Sequence, residues 1–250
     1  MAKQYKIIPA LDTADLGAAL RLVCRVAGRE SVYGFKLGFA LGLGHGLPET
    51  VRRIREWTDK PLIYDHQKAA TDIPDTGALF GDVMKTAGIN EVILFPHTGP
   101  RTLAAWTQAL QERDLKVIVG AVMTHPAYLV SEGGFIADAA AAAICKQAAG
   151  LGVAAFVVPL TKPEVVAKLA QEVPFTVQQE FYSPGFGAQK GDPARFPMLA
   201  RHYLIMGRSL LAAADPAKEL ANTEKQLGIG EATGSTGWTG IKAGSKSCTS

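Results

Sequence analysis

The sequence has 250 residues, of which 48% are hydrophobic and 20% charged, and its net charge is +3. That is the composition of a soluble globular chain long enough for one large domain, and the charge is too small to argue for nucleic acid or an acidic membrane surface as partner. Cys24, Cys145 and Cys248 are odd in number and widely spaced, which fits neither a thiolate metal site nor a disulfide framework; Cys24 and Cys145 lie in apolar helical contexts and read as small core residues.

The opening "MAKQYKIIPALD" carries too short an apolar run for a secretory signal. Short, nearly continuous apolar runs then recur: YKIIPAL (5–11), VYGFKLG (32–38), PLIYD (61–65), EVILFP (91–96), KVIVGAV (116–122), AAFVVPL (154–160), FTVQQEF (175–181) and HYLIMG (202–207). Such runs are expected of parallel strands buried on both faces. Helical patterns fill the gaps at 12–27, 47–58, 76–87, 99–113, 136–149 and 162–171. The first opens on Asp12, Thr13 and Asp15, a good start signal. Arg52, Arg53 and Arg55 read as a solvated helix face. The alanine-rich stretch 137–160 is interrupted by Lys146, Gln147, Gly150 and Gly152, so it reads as a helix followed by a strand and not as a membrane span.

Strands alternating with helices eight times predict an α/β fold of the (β/α)8 barrel type, a single domain over residues 1–222. A doubly wound open sheet fits six strands better than eight, and no Gly-x-Gly-x-x-Gly turn follows the first strand. Residues 223–250 are mostly Gly, Ser and Thr and are expected to form a flexible tail with the look of vector-derived sequence. A cytoplasmic protein is expected.

In barrels of this type the active site lies at the carboxyl ends of the strands. Those ends carry Asp12, Lys36, Asp65 with Lys68, and Thr124 with His125. The seventh is followed by "SPGFGAQKGD" and the eighth by "MGRS". Loops after strands seven and eight commonly hold phosphate on backbone amides. Next to Pro184, itself a candidate binding residue, Gly185 and Gly187 allow close approach to an anion, Gln189 adds a donor, and Gly207 with Arg208 supplies an amide and a guanidinium fork. Between strand three and its helix, "YDHQKAATDIPDTG" (64–77) concentrates Asp65, Lys68 and Asp72, which is costly near a buried strand unless the charges have work to do.

The pieces "FKLG", "DHQKAATDIPDT", "MTHP", "SPGFGAQKGDP" and "MGRSL", in that order over residues 5 to about 220, closely resemble the orotidine 5'-monophosphate decarboxylase family. The resemblance implies a homodimeric barrel with neither metal nor organic cofactor, acting on a nucleotide. It implies a charge array of Lys36, Asp65, Lys68 and Asp72, with Asp72, Ile73 and Thr76 reaching the partner's site. It also implies Asp12 on the ribose, Thr124 on the pyrimidine (the family commonly has serine there), and Gln189 and Arg208 on the phosphate.

The spacing departs from the family's Asp-x-Lys-x-x-Asp: here it is Asp65-x-x-Lys68-x-x-x-Asp72. Side chains three apart on a regular strand face opposite ways, so a bulge or a turn beginning at His66 has to restore convergence. The alternative puts His66 or Gln67 in the lysine's place. An ammonium held between carboxylates stays charged, favours a developing carbanion over the ground state, and can donate the proton that replaces carbon dioxide. Two rivals stand: a magnesium-dependent sugar-phosphate lyase of the same superfamily, which needs an acid near the end of strand two where this chain has "FKLGFALG", and a non-catalytic barrel that binds a phosphate ligand.

Overall fold

Alternation is what makes the chain close on itself. In a strand every second side chain faces the same way, and in this chain both faces are apolar, so each strand needs a core on either side. In the computed structural model, which describes residues 3–66, 71–173, 175–187 and 189–229, that need is met by a closed parallel barrel. The strands are β1 (Gln4–Leu11), β2 (Phe35–Gly38), β3 (Leu62–Asp65), β4 (Glu91–Leu94), β5 (Lys116–Gly120), β6 (Ala155–Val157), β7 (Glu180–Ser183) and β8 (Arg201–Met206). They pair in sequence order, and β8 returns to β1 with Gln4 opposite Arg201 and Pro9 opposite Met206. The barrel expectation is met and the open sheet is excluded.

The outer layer is α1 (Leu16–Val26), α2 (Phe39–His45), α3 (Leu47–Arg55), α4 (Thr76–Thr86), α5 (Pro100–Gln111), α6 (Asp138–Gly150), α7 (Pro163–Glu172), α8 (Arg208–Ala212) and α9 (Pro216–Gln226). Helix α1 starts where Asp15 accepts a hydrogen bond from the Ala18 amide, so the helix begins later than the acidic cluster alone suggests. Helix α9 is capped by Asp215, which accepts from the amides of Ala217 and Lys218, and it runs past residue 222, the domain boundary expected from the sequence. The seventh strand starts at Glu180, not at residue 175, because Thr176 and Gln179 close a turn on each other. Arg52 pairs with Glu49 and Arg53 with Glu56, but Arg55 reaches to the Lys60 carbonyl and the Asn90 side chain, each at 2.6 Å. Cys145 is a buried free thiol that burial pushes up to about 12, whereas Cys24 is only half-buried, so the core-thiol expectation is met best by Cys145. No described helix is long and apolar enough to cross a membrane.

The barrel interior is layered. Its middle is Ile8, Ala10, Ile63, Ile93, Ile118, Ala155 and Val157, all buried; each buried isoleucine is worth roughly 1.5–3 kcal/mol. The amino-terminal end is closed by a polar plug. Lys116 of β5 reaches the Tyr182 hydroxyl at 2.8 Å and lies 5.3 to 5.8 Å from the ring centres of Tyr33, Tyr182 and Tyr203. It pairs with Glu180 and, at 3.6 Å, with Glu91, which also accepts from the hydroxyls of Tyr33 and Tyr182. The carboxyl-terminal mouth is where the barrel's cavity opens.

Candidate active site

The mouth is built by continuing the inward-facing positions one step beyond the apolar layer. On β1 the inward series Ile8, Ala10 leads to Asp12; on β3 Ile63 leads to Asp65; on β2 Lys36 sits opposite Ala10 and Ile63. Register therefore places the ammonium between two carboxylates. Lys36 Nζ lies 2.9 and 3.1 Å from the Asp12 oxygens and 3.0 Å from Asp65 Oδ2. The Lys36 side chain is 4% exposed and Asp65 10%, while Asp12 is 45% exposed and faces the opening. Burial alone lowers the Lys36 pKa, but Asp65 and then Asp12 outweigh it and hold the group above its ordinary value. Gly38 makes the approach possible, since a Cβ there would lie 2.9 Å from Asp12 Oδ1.

These charges stand in a cavity of about 210 Å³ lined by apolar and polar walls. The apolar wall is Ile93, Phe95, Val122, Met123, Val157 and Ile205, and Thr124 stands beside it. The rest of the rim is Pro184, Gly185, Phe186 and Gln189 after β7, with Gly207 and Arg208 after β8. Gly185 has a φ of 100°, in the left-handed region that favours glycine. The neck of this loop is closed by the Gly191 amide donating to the Gly185 carbonyl, and the Thr161 hydroxyl ties β6's end to the Thr124 carbonyl.

Nine residues singled out from the sequence thus line one cavity: Asp12, Lys36, Asp65, Thr124, Pro184, Gly185, Gln189, Gly207 and Arg208. Asp12 lies against Lys36, a contact that the resemblance, which gave it the ribose, did not anticipate. The structure does not bring Asp72, Ile73 and Thr76 into this chain's cavity. Asp72 and Ile73 are exposed, and the segment is strapped to its own barrel through backbone carbonyls: Asp72 O accepts from Thr98 and Thr102, Ile73 O from Thr76 and Trp106. Strand β3 ends at Asp65, so alternation breaks at His66, whose Nδ1 lies 2.8 Å from the Tyr64 hydroxyl. Tyr64 belongs to the outer core, so His66 does not take a lysine's place at the mouth. Lys68 and Gln67 lie outside the described residues. His125 is exposed against the Tyr128 ring and does not line the cavity.

Sequence reasoning missed the apolar wall, although every second residue of EVILFP and HYLIM pointed to it. Among the described residues no group of three or more His, Cys, Asp or Glu side chains is disposed to hold a metal ion.

Comparison with known proteins agrees with this geometry. The model of the "Orotidine 5'-phosphate decarboxylase / HUMPS family" matches residues 5–223. A protein of Methanosarcina mazei named orotidine 5'-phosphate decarboxylase is 32% identical, over 91% of this chain and 97% of its own length. One of Methanosarcina acetivorans with the same name is 33% identical, over 88% and 93%. The crystal structure of orotidine 5'-monophosphate decarboxylase from Methanocaldococcus jannaschii, complexed with inhibitor BMP, superposes with a TM-score of 0.77 at 26% identity, covering 90% of this chain and 99% of that one.

Proposed function

Because the chain belongs to the orotidine 5'-phosphate decarboxylase / HUMPS family, we propose that it decarboxylates orotidine 5'-monophosphate to uridine 5'-monophosphate and carbon dioxide. The observation that carries this reading is the buried Lys36 ammonium clamped by Asp12 and Asp65 in a cavity whose far rim is made of glycine amides and Arg208. One end of the cavity suits developing negative charge and the other suits a phosphate. The distance between them is spanned by an apolar wall that fits a heterocycle.

The bond from the ring carbon to the carboxylate breaks, the electron pair stays on that carbon, and a proton replaces carbon dioxide. The Lys36 ammonium favours that carbanion more than the ground state, because Asp12 and Asp65 fix it before the charge appears. In this reading Lys36 fixes the array, with Asp65 holding it and Asp12 meeting the ribose. Lys68 delivers the proton, and Thr124 meets the pyrimidine. Gly185, Gln189, Gly207 and Arg208 grip the phosphate, with Pro184 shaping the loop's entry. Contacts to the remote phosphate supply binding energy that closes the loop after β7 over the site and excludes water.

The enzyme works as a cytoplasmic homodimer, with Asp72, Ile73 and Thr76 completing the partner's site. The exposed apolar side chains Phe39 and Leu43 on α2, and Ile73, Leu79 and Val83 before and on α4, support such an interface. The end of β2 carries Gly38 and Phe39 where a metal-dependent sugar-phosphate lyase of this superfamily needs an acid, which supports the decarboxylase over that rival. The test is conversion of orotidine 5'-monophosphate followed spectrophotometrically, with and without chelator. Equal turnover in both is expected; no turnover, or turnover abolished by the chelator, rejects the reading.

A further inference from the structure

His202 sits on β8 at the register position opposite Phe181, one residue before the inward-facing Tyr203, so its ring faces the outer layer. It is 1% exposed and its Nε2 lies 2.5 Å from Oγ of Ser183, which is fully buried. Ser183 ends β7 and is followed directly by Pro184 and Gly185 on the cavity rim. The same imidazole stacks on Tyr5 and meets the edge of Phe196, with ring centres 6.1 Å apart in both cases. Phe196 is fully buried and belongs to the leg by which the chain returns from this loop to β8. One side chain therefore touches both feet of the loop.

Its other nitrogen, Nδ1, is buried and has no hydrogen-bond partner among the described residues. A phenyl ring would fill the same place between Tyr5 and Phe196, but it would take from the buried Ser183 hydroxyl the partner it has here. Burial, reinforced by Lys3, pushes the group down to about 3, so the ring stays neutral and its contacts do not change near neutral pH.

We propose that His202 is a positioning residue for substrate binding: through Ser183 and Phe196 it pins both feet of loop 184–192, so that Gly185 and Gln189 are already placed for the phosphate. This rests on the reading that the loop grips the substrate's phosphate. Pinned feet leave less chain to order on binding, which strengthens the contact without altering the chemical step.

The test measures kcat and KM for orotidine 5'-monophosphate, and Kd for uridine 5'-monophosphate and for uridine, in the wild type, His202→Phe, Ser183→Ala and the double variant. Each single variant is expected to raise KM and the nucleotide Kd about tenfold, the worth of one hydrogen bond, with kcat held within about twofold. The uridine Kd stays unchanged, and the double variant is no weaker than either single one. Unchanged nucleotide affinity in Ser183→Ala, or equal weakening of nucleotide and nucleoside, overturns the proposal. Should His202→Phe not fold, Ser183→Ala decides alone. A wild type that binds the nucleotide but turns nothing over rejects the proposed activity, and the nucleotide Kd values still judge the pin.

Discussion

A buried ammonium persists only where anions surround it, and Lys36 meets that condition through Asp12 and Asp65. Lys36→Met is expected to lower kcat/KM by about 10²–10³-fold, the scale of losing one preorganised electrostatic group, in the steady-state assay. The pH dependence follows from the raised folded pKa. Stability from such a group is complete below its unfolded value, about 10.4, and declines only as pH rises through the still higher folded value. The difference in Tm between wild type and Lys36→Met should therefore stay level from pH 7 to pH 10. Arg208 lines the opposite rim, and on the proposed reading Arg208→Ala should raise KM roughly 10–100-fold, with the smaller change in kcat, as expected for losing a charge-assisted hydrogen bond. Asp12, Lys36 and Asp65 were legible because strand ends expose polar residues that an apolar core cannot explain. His202 was not, since a histidine in the first half of a strand looks the same whether it packs idly or bonds to Ser183.

At the scale of elements, the strands were legible and some helices were not. Helix α2 contains Gly42 and Gly44, poor helix formers, and is held by context: a Cβ on Gly42 would already touch the Tyr64 ring at 3.4 Å. Helix α9 had a readable start in Asp215-Pro216, obscured by the polar sequence after it. The shifted start of β7 shows why Gln178 and Gln179 misled: apolar neighbours made a run that a local turn then claims. The plug made by β4, β5, β7 and β8 predicts a separation of stability from chemistry. Lys116→Ala leaves Glu91 and Glu180 without their cation and should cost about 2–3 kcal/mol in urea denaturation, at the low end for a buried pair because Lys116 is partly exposed. KM and kcat should be unchanged, because the plug lies at the other end of the barrel.

At the scale of the whole molecule, the exposed Asp72 and Ile73, with half-buried Thr76 beside them, fit a site completed by a second subunit. Inactive Lys36→Met and Asp72→Asn homodimers, mixed and allowed to exchange subunits, should regain about a quarter of wild-type activity, because half the dimers then hold one intact site of two. No recovery after confirmed exchange would remove those residues from the partner's site. The pairing of β1 with β8 has a consequence for biosynthesis. The first strand leaves the ribosome early but waits for residues 201–206 before its second neighbour exists, and α9, which fastens to Arg29 and Ser31 through Glu224, comes later still. During that interval the nascent chain presents two open β edges to its surroundings, the state in which strands recruit strangers. Translation speed over the last third of the message, and chaperone cover during it, should therefore influence the yield of this protein.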